Sequence, residues 1–260
     1  MHRYYYGLDG LRFFAAFAVC IFHLGFYVWA SDYGTMAPIF DHRASFQAMT
    51  SVSWLGWVGV QIFFVISGFV IANSANGASP FDFLKSRLLR LWPAAWICCH
   101  CSACSDVAVT LCVRLLTGED FWRDLDSSYL RSLLLWPKGE WIDGVYWSLA
   151  VEISFYALVF LLLLTRNFRH LPLLAWGLTL VSAAYLSLAA LDHAGIPTQA
   201  EWFGALAAQS EILPIRHGVF FAIGIWLWML SKRSMSGSAW VGLLIAMVFA
   251  MVEIEIRAWD

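Results

Sequence analysis

Seven runs of roughly twenty apolar residues dominate this chain, near residues 10–30, 53–73, 93–116, 145–165, 171–191, 214–231 and 237–254. A helical run of that length spans the roughly 30 Å hydrocarbon core of a bilayer. A helix also satisfies its main-chain polar groups internally where no water can reach them. The expected fold is therefore all-α: a polytopic transmembrane bundle of about seven helices, forming one membrane domain over residues 1–260. Of the seven, the third run is the most polar, with Ser102, Ser105 and Asp106, and the last two are short. Composition agrees, since 61% of residues are hydrophobic and 13% charged, against about 45–50% and about 25% in globular domains. Fifteen Trp and twenty Phe suit interfacial belts and lipid-facing surfaces. The first run lacks a small-residue cleavage site and leads into further apolar segments, so it is expected to stay as a membrane helix. A net charge of −2 and the lack of a basic tail argue against a nucleic-acid partner.

Lys and Arg in the short loops set the expected orientation. With the N-terminus cytoplasmic, the inner segments hold Arg3, then Lys85, Arg87 and Arg90, then Arg166 and Arg169, then Lys232 and Arg233. Most acids fall on the other side, among them Asp32, Asp41, Glu119, Asp143, Asp192 and Glu211, although Arg43, Arg123, Arg131, Lys138 and Arg216 also lie there. This satisfies the positive-inside rule. The longest outer loop, 117–144, is expected to fold back partly as a lid.

Within the first run, ten residues separate Arg12 from His23. Eleven helical steps return both side chains to one face about three turns, or roughly 16 Å, apart. Ionisable groups at membrane depth are costly unless they line a polar cavity or find a partner, so the pair marks a functional site. Histidine is also the side chain best suited to proton transfer near neutral pH. After the second run, PFDFLKSRLLRLWPAAW places Arg87 and Arg90 three apart on one helical face. They act either as snorkelling interface anchors or as a guanidinium pair that grips phosphates. In VYWSLAVEISFYALVF, Ser148, Glu152 and Tyr156 form an i, i+4, i+8 stripe, which points inward. A carboxylate inside a membrane helix needs a base, a hydroxyl or a cation, and a single interhelical hydrogen bond is the plainer alternative. Trp147 alone would be an ordinary interface anchor.

Other residues carry less. Gly56, Gly59, Ser67 and Gly68 of the second run are expected to serve close helix packing, and ISGF around Ser67 does not match the nucleophile-elbow pattern. Cys98, Cys99, His100, Cys101 and Cys104 crowd one helical stretch, from which four tetrahedral ligands are hard to arrange. No metal site is expected, and the cysteines are expected as small buried side chains. His217 is expected at the interface.

Taken together, LDGLRFFAAFAVCIFH, VGVQIFFVISGFVI, FLKSRLLRLWPAAW and WSLAVEISFY, in this order, resemble the motifs of the acyltransferase family 3 membrane proteins, which include O-antigen and other polysaccharide O-acetyltransferases. The later RHGVFFAIGIWLW is similar to a less specific family segment, so the resemblance covers about residues 7–230. It implies transfer of an acyl group, often acetyl, from acyl-coenzyme A to a hydroxyl of a carbohydrate or lipid-linked glycan at the cell envelope. It implies His23 as general base or transient acyl carrier, and Arg12, Arg87 and Arg90 as holders of the coenzyme A phosphates. Glu152 would orient His23 or the acceptor hydroxyl, with Asp9, Trp147, Ser148 and Tyr156 in support. The implied location is a bacterial plasma membrane, with lipids as neighbours and acyl-coenzyme A as a substrate rather than a bound cofactor. Members have about ten membrane helices, so with a chain ending at RAWD after about seven the last ones are expected to be missing, replaced by a partner, or lost from a fragment, and the hydrolase-like domain of some members is not expected either. Two other readings compete: a transporter using His23 and Glu152 as a proton relay, and an inactive truncated homologue.

Overall fold

The computed structural model describes residues 6–27, 47–117, 125–136, 141–196 and 212–259, and the regular structure among them is all helical. Helix α1 (Tyr6–Phe22) runs on into a π-helical turn, His23–Tyr27. Short helical turns over residues 47–57 lead into α2 (Val58–Ala75). Then come α3 (Pro80–Thr117), α4 (Leu125–Leu134), α5 (Tyr146–Leu164), α6 (Leu171–His193), α7 (Gly218–Ser231) and α8 (Gly237–Trp259). Among the described residues, five helical segments are long and apolar enough to cross a membrane: Gly7–Tyr27, Trp54–Ala75, Tyr146–Leu164, Phe168–His193 and Gly237–Ala258. The chain is thus an all-α integral membrane protein.

The two remaining expected spans differ in kind. Residues 93–116 are the later part of the 38-residue α3, which starts with the arginine segment and runs through Pro93 without a break. Its start is built locally: the Asp82 main-chain N–H donates to the N-cap hydroxyl Ser79 Oγ, and that hydroxyl donates to Asp82 Oδ2, with Pro80 at the first helical position. Helix α7 has 14 residues, which reach about 21 Å. It is short because 212–217 ahead of it is irregular, a stretch that carries Arg216 and His217.

Helix α7 is also the centre of the fold. It packs on α2, α6 and α8, and Val219, Phe220, Phe221, Ala222, Ile225 and Trp226 are all buried. Being apolar all round suits a helix enclosed by others. The contact with α2 is backbone to backbone: a Cβ on Gly68 would strike the Phe221 carbonyl oxygen, and one on Gly224 the Val65 carbonyl oxygen. Lipid tails are as apolar as leucine, so such close approach is what holds membrane helices together. Gly56 and Gly59 do the same for α1, meeting the Ala18 and Ala15 carbonyls. Gly56, Gly59 and Gly68 thus take the packing role expected of them. Helix α1 sits at the edge, with Phe13, Phe14, Phe17 and Leu24 facing outward.

The cysteines depart from expectation. Cys99 is buried, its thiol directed to the Tyr129 carbonyl at 3.8 Å, but Cys20, Cys98, Cys101 and Cys104 are exposed, Cys101 on the cavity described below. Of the anticipated lid, 118–124 and 137–140 lie outside the described residues; α4 packs along α3, while Ile142, Asp143 and Gly144 reach the cavity described next.

Candidate active site

A cavity of about 1250 Å³ opens between α1, α2, α3 and α5, and Arg12, His23, Arg87, Arg90, Trp147, Ser148, Glu152 and Tyr156 all line it. Four separate stretches of sequence therefore contribute to one space. Asp9 does not line it; its Oδ1 accepts a hydrogen bond from Arg12 Nη1 at 2.9 Å on the outer side. The volume exceeds the about 300–1,000 Å³ typical of a pocket for one small ligand, which leaves room for two substrates.

The arginine end is built by α1, α3 and α5. Arg87 is buried, 9% exposed, with its guanidinium 5.8 Å from the centroid of the Phe83 ring and its Nε donating to Ser86 Oγ at 3.3 Å. Arg90, one turn further on, is exposed yet reaches the same cavity. Arg90 and Glu152 are electrostatic neighbours of both Arg12 and Arg87. Arg12 and Arg87 thus share both a carboxylate and a further guanidinium as charged neighbours. Glu152 Oε1 in turn accepts hydrogen bonds from Ser67 Oγ and Tyr156 Oη, each at 2.5 Å. The Tyr156 bond follows from the i, i+4 stripe, but the Ser67 bond joins residues 85 apart in sequence. Packing was the role expected of Ser67. Its hydroxyl instead holds Glu152, because α2 and α5 meet at this depth.

The His23 end is built differently. His23 opens the π-helical turn, a distortion that recurs at functional sites. The turn is pinned by Ser53, whose buried hydroxyl donates to the Gly25 carbonyl at 3.2 Å and the Met49 carbonyl at 2.8 Å. The His23 ring is half-buried and packs edge-on to Phe22 and Tyr27, with centroids at 5.4 and 5.5 Å. Its acidic neighbour is Asp143, in the short segment before α5, where Asp143 Oδ1 accepts from the Val145 N–H at 3.1 Å. Residues Trp54–Trp57 pack on this turn, which brings Trp57 to the same end.

A second buried cluster adjoins that end. Glu253 on α8 is fully buried and accepts from Arg216 Nε at 3.2 Å and Gln61 Nε2 at 3.5 Å, with His217 Nδ1 at 3.6 Å. His217, expected at the interface, is instead buried, its ring 5.1 Å from that of the cavity residue Trp147. The irregular stretch 212–217 is what turns Arg216 and His217 inward before α7 begins. One turn along α8 from Glu253, Arg257 lies over the rings of Trp57 and Trp147, at 5.3 and 5.4 Å from their centroids, and lines the cavity.

With this geometry in view, the comparisons with known proteins are specific. The family model described as an acyltransferase domain, acyltransferase family 3, matches residues 5–254, and the chain belongs to that family. It is 27% identical over 254 residues to a membrane-bound transacylase, BcsY, of Komagataeibacter xylinus, covering 89% of this chain and 53% of that one. It is also 27% identical over 238 residues to the acyltransferase MdmB of Streptomyces mycarofaciens, covering 84% and 58%. With a peptidoglycan O-acetyltransferase, YrhL, of Bacillus subtilis it shares 30% identity over 172 residues, 60% of this chain and 23% of the relative. The chain thus spans little more than half the length of the first two relatives. No solved structure matches it.

Proposed function

We propose that this chain carries an O-acyltransferase site that moves an acyl group, acetyl in the first instance, from coenzyme A to a hydroxyl of a cell-envelope carbohydrate or lipid-linked glycan. The observation that carries the proposal is the shared cavity: three arginines gather at one end and a histidine stands at the other. Relatives named as a peptidoglycan O-acetyltransferase and as O-acetyltransferases favour a sugar hydroxyl as acceptor. In this reading the protein lies in a bacterial plasma membrane with its N-terminus cytoplasmic and seven crossings, α3 and α7 completing the set. The donor enters at the arginine end.

Each residue then has a task. Arg12, Arg87 and Arg90 hold the donor phosphates through charge-assisted hydrogen bonds. Glu152, tied to Ser67 and Tyr156, keeps the guanidiniums in place and apart. His23 takes the proton of the acceptor hydroxyl as its oxygen attacks the thioester carbonyl; the C–S bond breaks and the coenzyme A thiolate leaves, recovering the proton. Asp143 steadies the imidazolium formed on the way. Ser148 and Trp147 line the acceptor's approach, and Asp9 keeps Arg12 aligned from outside.

The test uses membranes holding the protein, labelled acetyl-coenzyme A and envelope glycan. Transfer is expected to fall about 10²- to 10⁴-fold in His23→Ala, the usual worth of a general base. Undiminished transfer in that variant would remove His23 from the chemistry. No transfer by the wild type to any envelope glycan would sink the reading.

A further inference from the structure

Beyond the arginine end, the cavity wall divides by polarity. On the side of α1 and α2 it is apolar, made of Phe22, Trp57, Val60, Phe64 and Trp147. On the side of α3 it is polar, made of Ser102, Ser105 and Asp106, and Asp143 and Ser148 continue that lining. Trp147, beside Ser148, stands where the two linings meet. The indoles of the apolar part are held from behind. The Arg257 guanidinium lies over the Trp57 and Trp147 rings, 5.3 and 5.4 Å from their centroids, and is a charged neighbour of the buried Glu253 one turn back on α8. Phe64 packs edge-on to Trp147 at 6.0 Å, and the His217 ring lies 5.1 Å from it. Neither His217 nor Glu253 lines the cavity, so the two indoles separate it from that buried cluster. An indole here moves only by breaking a cation–π contact and disturbing a packed interior.

We infer that Trp57 and Trp147 form the end wall of the acyl pocket and restrict the donor to short acyl chains. The inference rests on the proposed transferase reading and deepens it at the donor. With its phosphates at the arginine end, coenzyme A brings its thioester to His23, roughly 16 Å away along α1. Its acyl group then meets one of the two linings. A hydrocarbon is favoured on the apolar one, whereas the hydroxyls of a sugar are favoured on the polar one, where lost hydrogen bonds to water are replaced. Trp57 lies ten residues before Ser67, roughly 15 Å from the Ser67–Glu152 contact along the chain axis, which sets it level with His23. The first carbons beyond the thioester therefore reach fixed indoles. A longer chain overpacks the pocket, and one misfitting methylene in an apolar site is worth about 10- to 200-fold in discrimination.

Binding to the purified full chain, without acceptor, tests this with acetyl-, butyryl- and hexanoyl-coenzyme A. In an open apolar groove affinity rises with chain length. Here hexanoyl-coenzyme A is expected to bind at least about 10-fold more weakly than acetyl-coenzyme A, with the butyryl donor between them. At least one of Trp57→Ala and Trp147→Ala is expected to abolish or reverse that order. Affinity that is equal or rises with length in the wild type overturns the inference, as does an order unchanged in both variants. Should an alanine variant fail to fold, the phenylalanine variant at that position takes its place, since it too removes a ring, and an unchanged order at both positions again overturns the inference. A short-chain preference that depends on these tryptophans, without acyl transfer to any glycan, would refute the transferase reading alone. Transfer from acetyl and hexanoyl donors alike, unchanged by Trp147→Ala, would refute this inference alone. No binding of any of the three donors would refute both.

Discussion

Among the described residues, two glutamates sit inside the bundle, and their surroundings are opposite. Glu152 borders the cavity, takes its hydrogen bonds from two hydroxyls, and has arginines as electrostatic neighbours. Glu253 is sealed at 0% exposure, with Arg216, Gln61 and His217 in contact around it. Hydroxyl partners position a carboxylate while leaving nearby cations available to a ligand. A guanidinium partner within a closed cluster leaves far less to offer a visitor, because separating a buried pair exposes two uncompensated charges. Glu152 therefore belongs to binding, and Glu253 to the attachment of α8 to α2 and α7.

The comparison breaks most sharply in stability. Glu253→Ala is expected to cost about 3–5 kcal/mol, the usual result of leaving a buried partner charge uncompensated. Denaturant unfolding of the detergent-solubilised protein measures it, and a loss under about 1 kcal/mol would mean that the cluster is not structural. Replacing Arg87 and Arg90 together with Gln is expected to raise the donor KM about 10- to 100-fold while kcat at saturation changes little. The reverse split would place them in chemistry rather than binding.

Smaller effects sharpen the contrast. Glu152→Gln keeps an oxygen for Ser67 and Tyr156 but removes the charge among the arginines, so donor KM is expected to shift a few-fold with stability changed by less than about 1 kcal/mol. A collapse comparable to Glu253→Ala would erase the difference between the two sites. Ser67→Ala is expected to cost about 0.5–1.5 kcal/mol, one hydrogen bond's worth. In a double-mutant cycle with Tyr156→Phe, the two losses should be non-additive, since both hydroxyls reach the same oxygen.

Much of the candidate site is legible from local spacing. Arg12 and His23 share a face because eleven residues are about three helical turns, and Ser148, Glu152 and Tyr156 share one because four residues are about one turn. Both sets line the cavity. Residues that depend on distant partners are not legible in this way. Ser67 looked like packing because its neighbours Gly68 and Gly59 are packing residues; only the meeting of α2 with α5 gives its hydroxyl a carboxylate. His217 looked interfacial because it opens a short apolar run next to a charge. Its partner Glu253 lies 36 positions further on and in a different helix, and Gln61, which shares that glutamate, is 192 positions away.

The sequence by itself determined the helical membrane class, the order of the motifs and which residues share a helix face. Those properties follow from chain-local rules: apolar length against bilayer thickness, and 3.6 residues per turn. Tertiary structure alone decided that Arg12 and Arg87 have Glu152 as a charged neighbour, that Asp143 attends His23, and that Arg257 lies over two tryptophans. Such groupings depend on where helices cross and how closely their glycines let them approach, and no periodicity along one helix encodes what a neighbouring helix presents at the same depth.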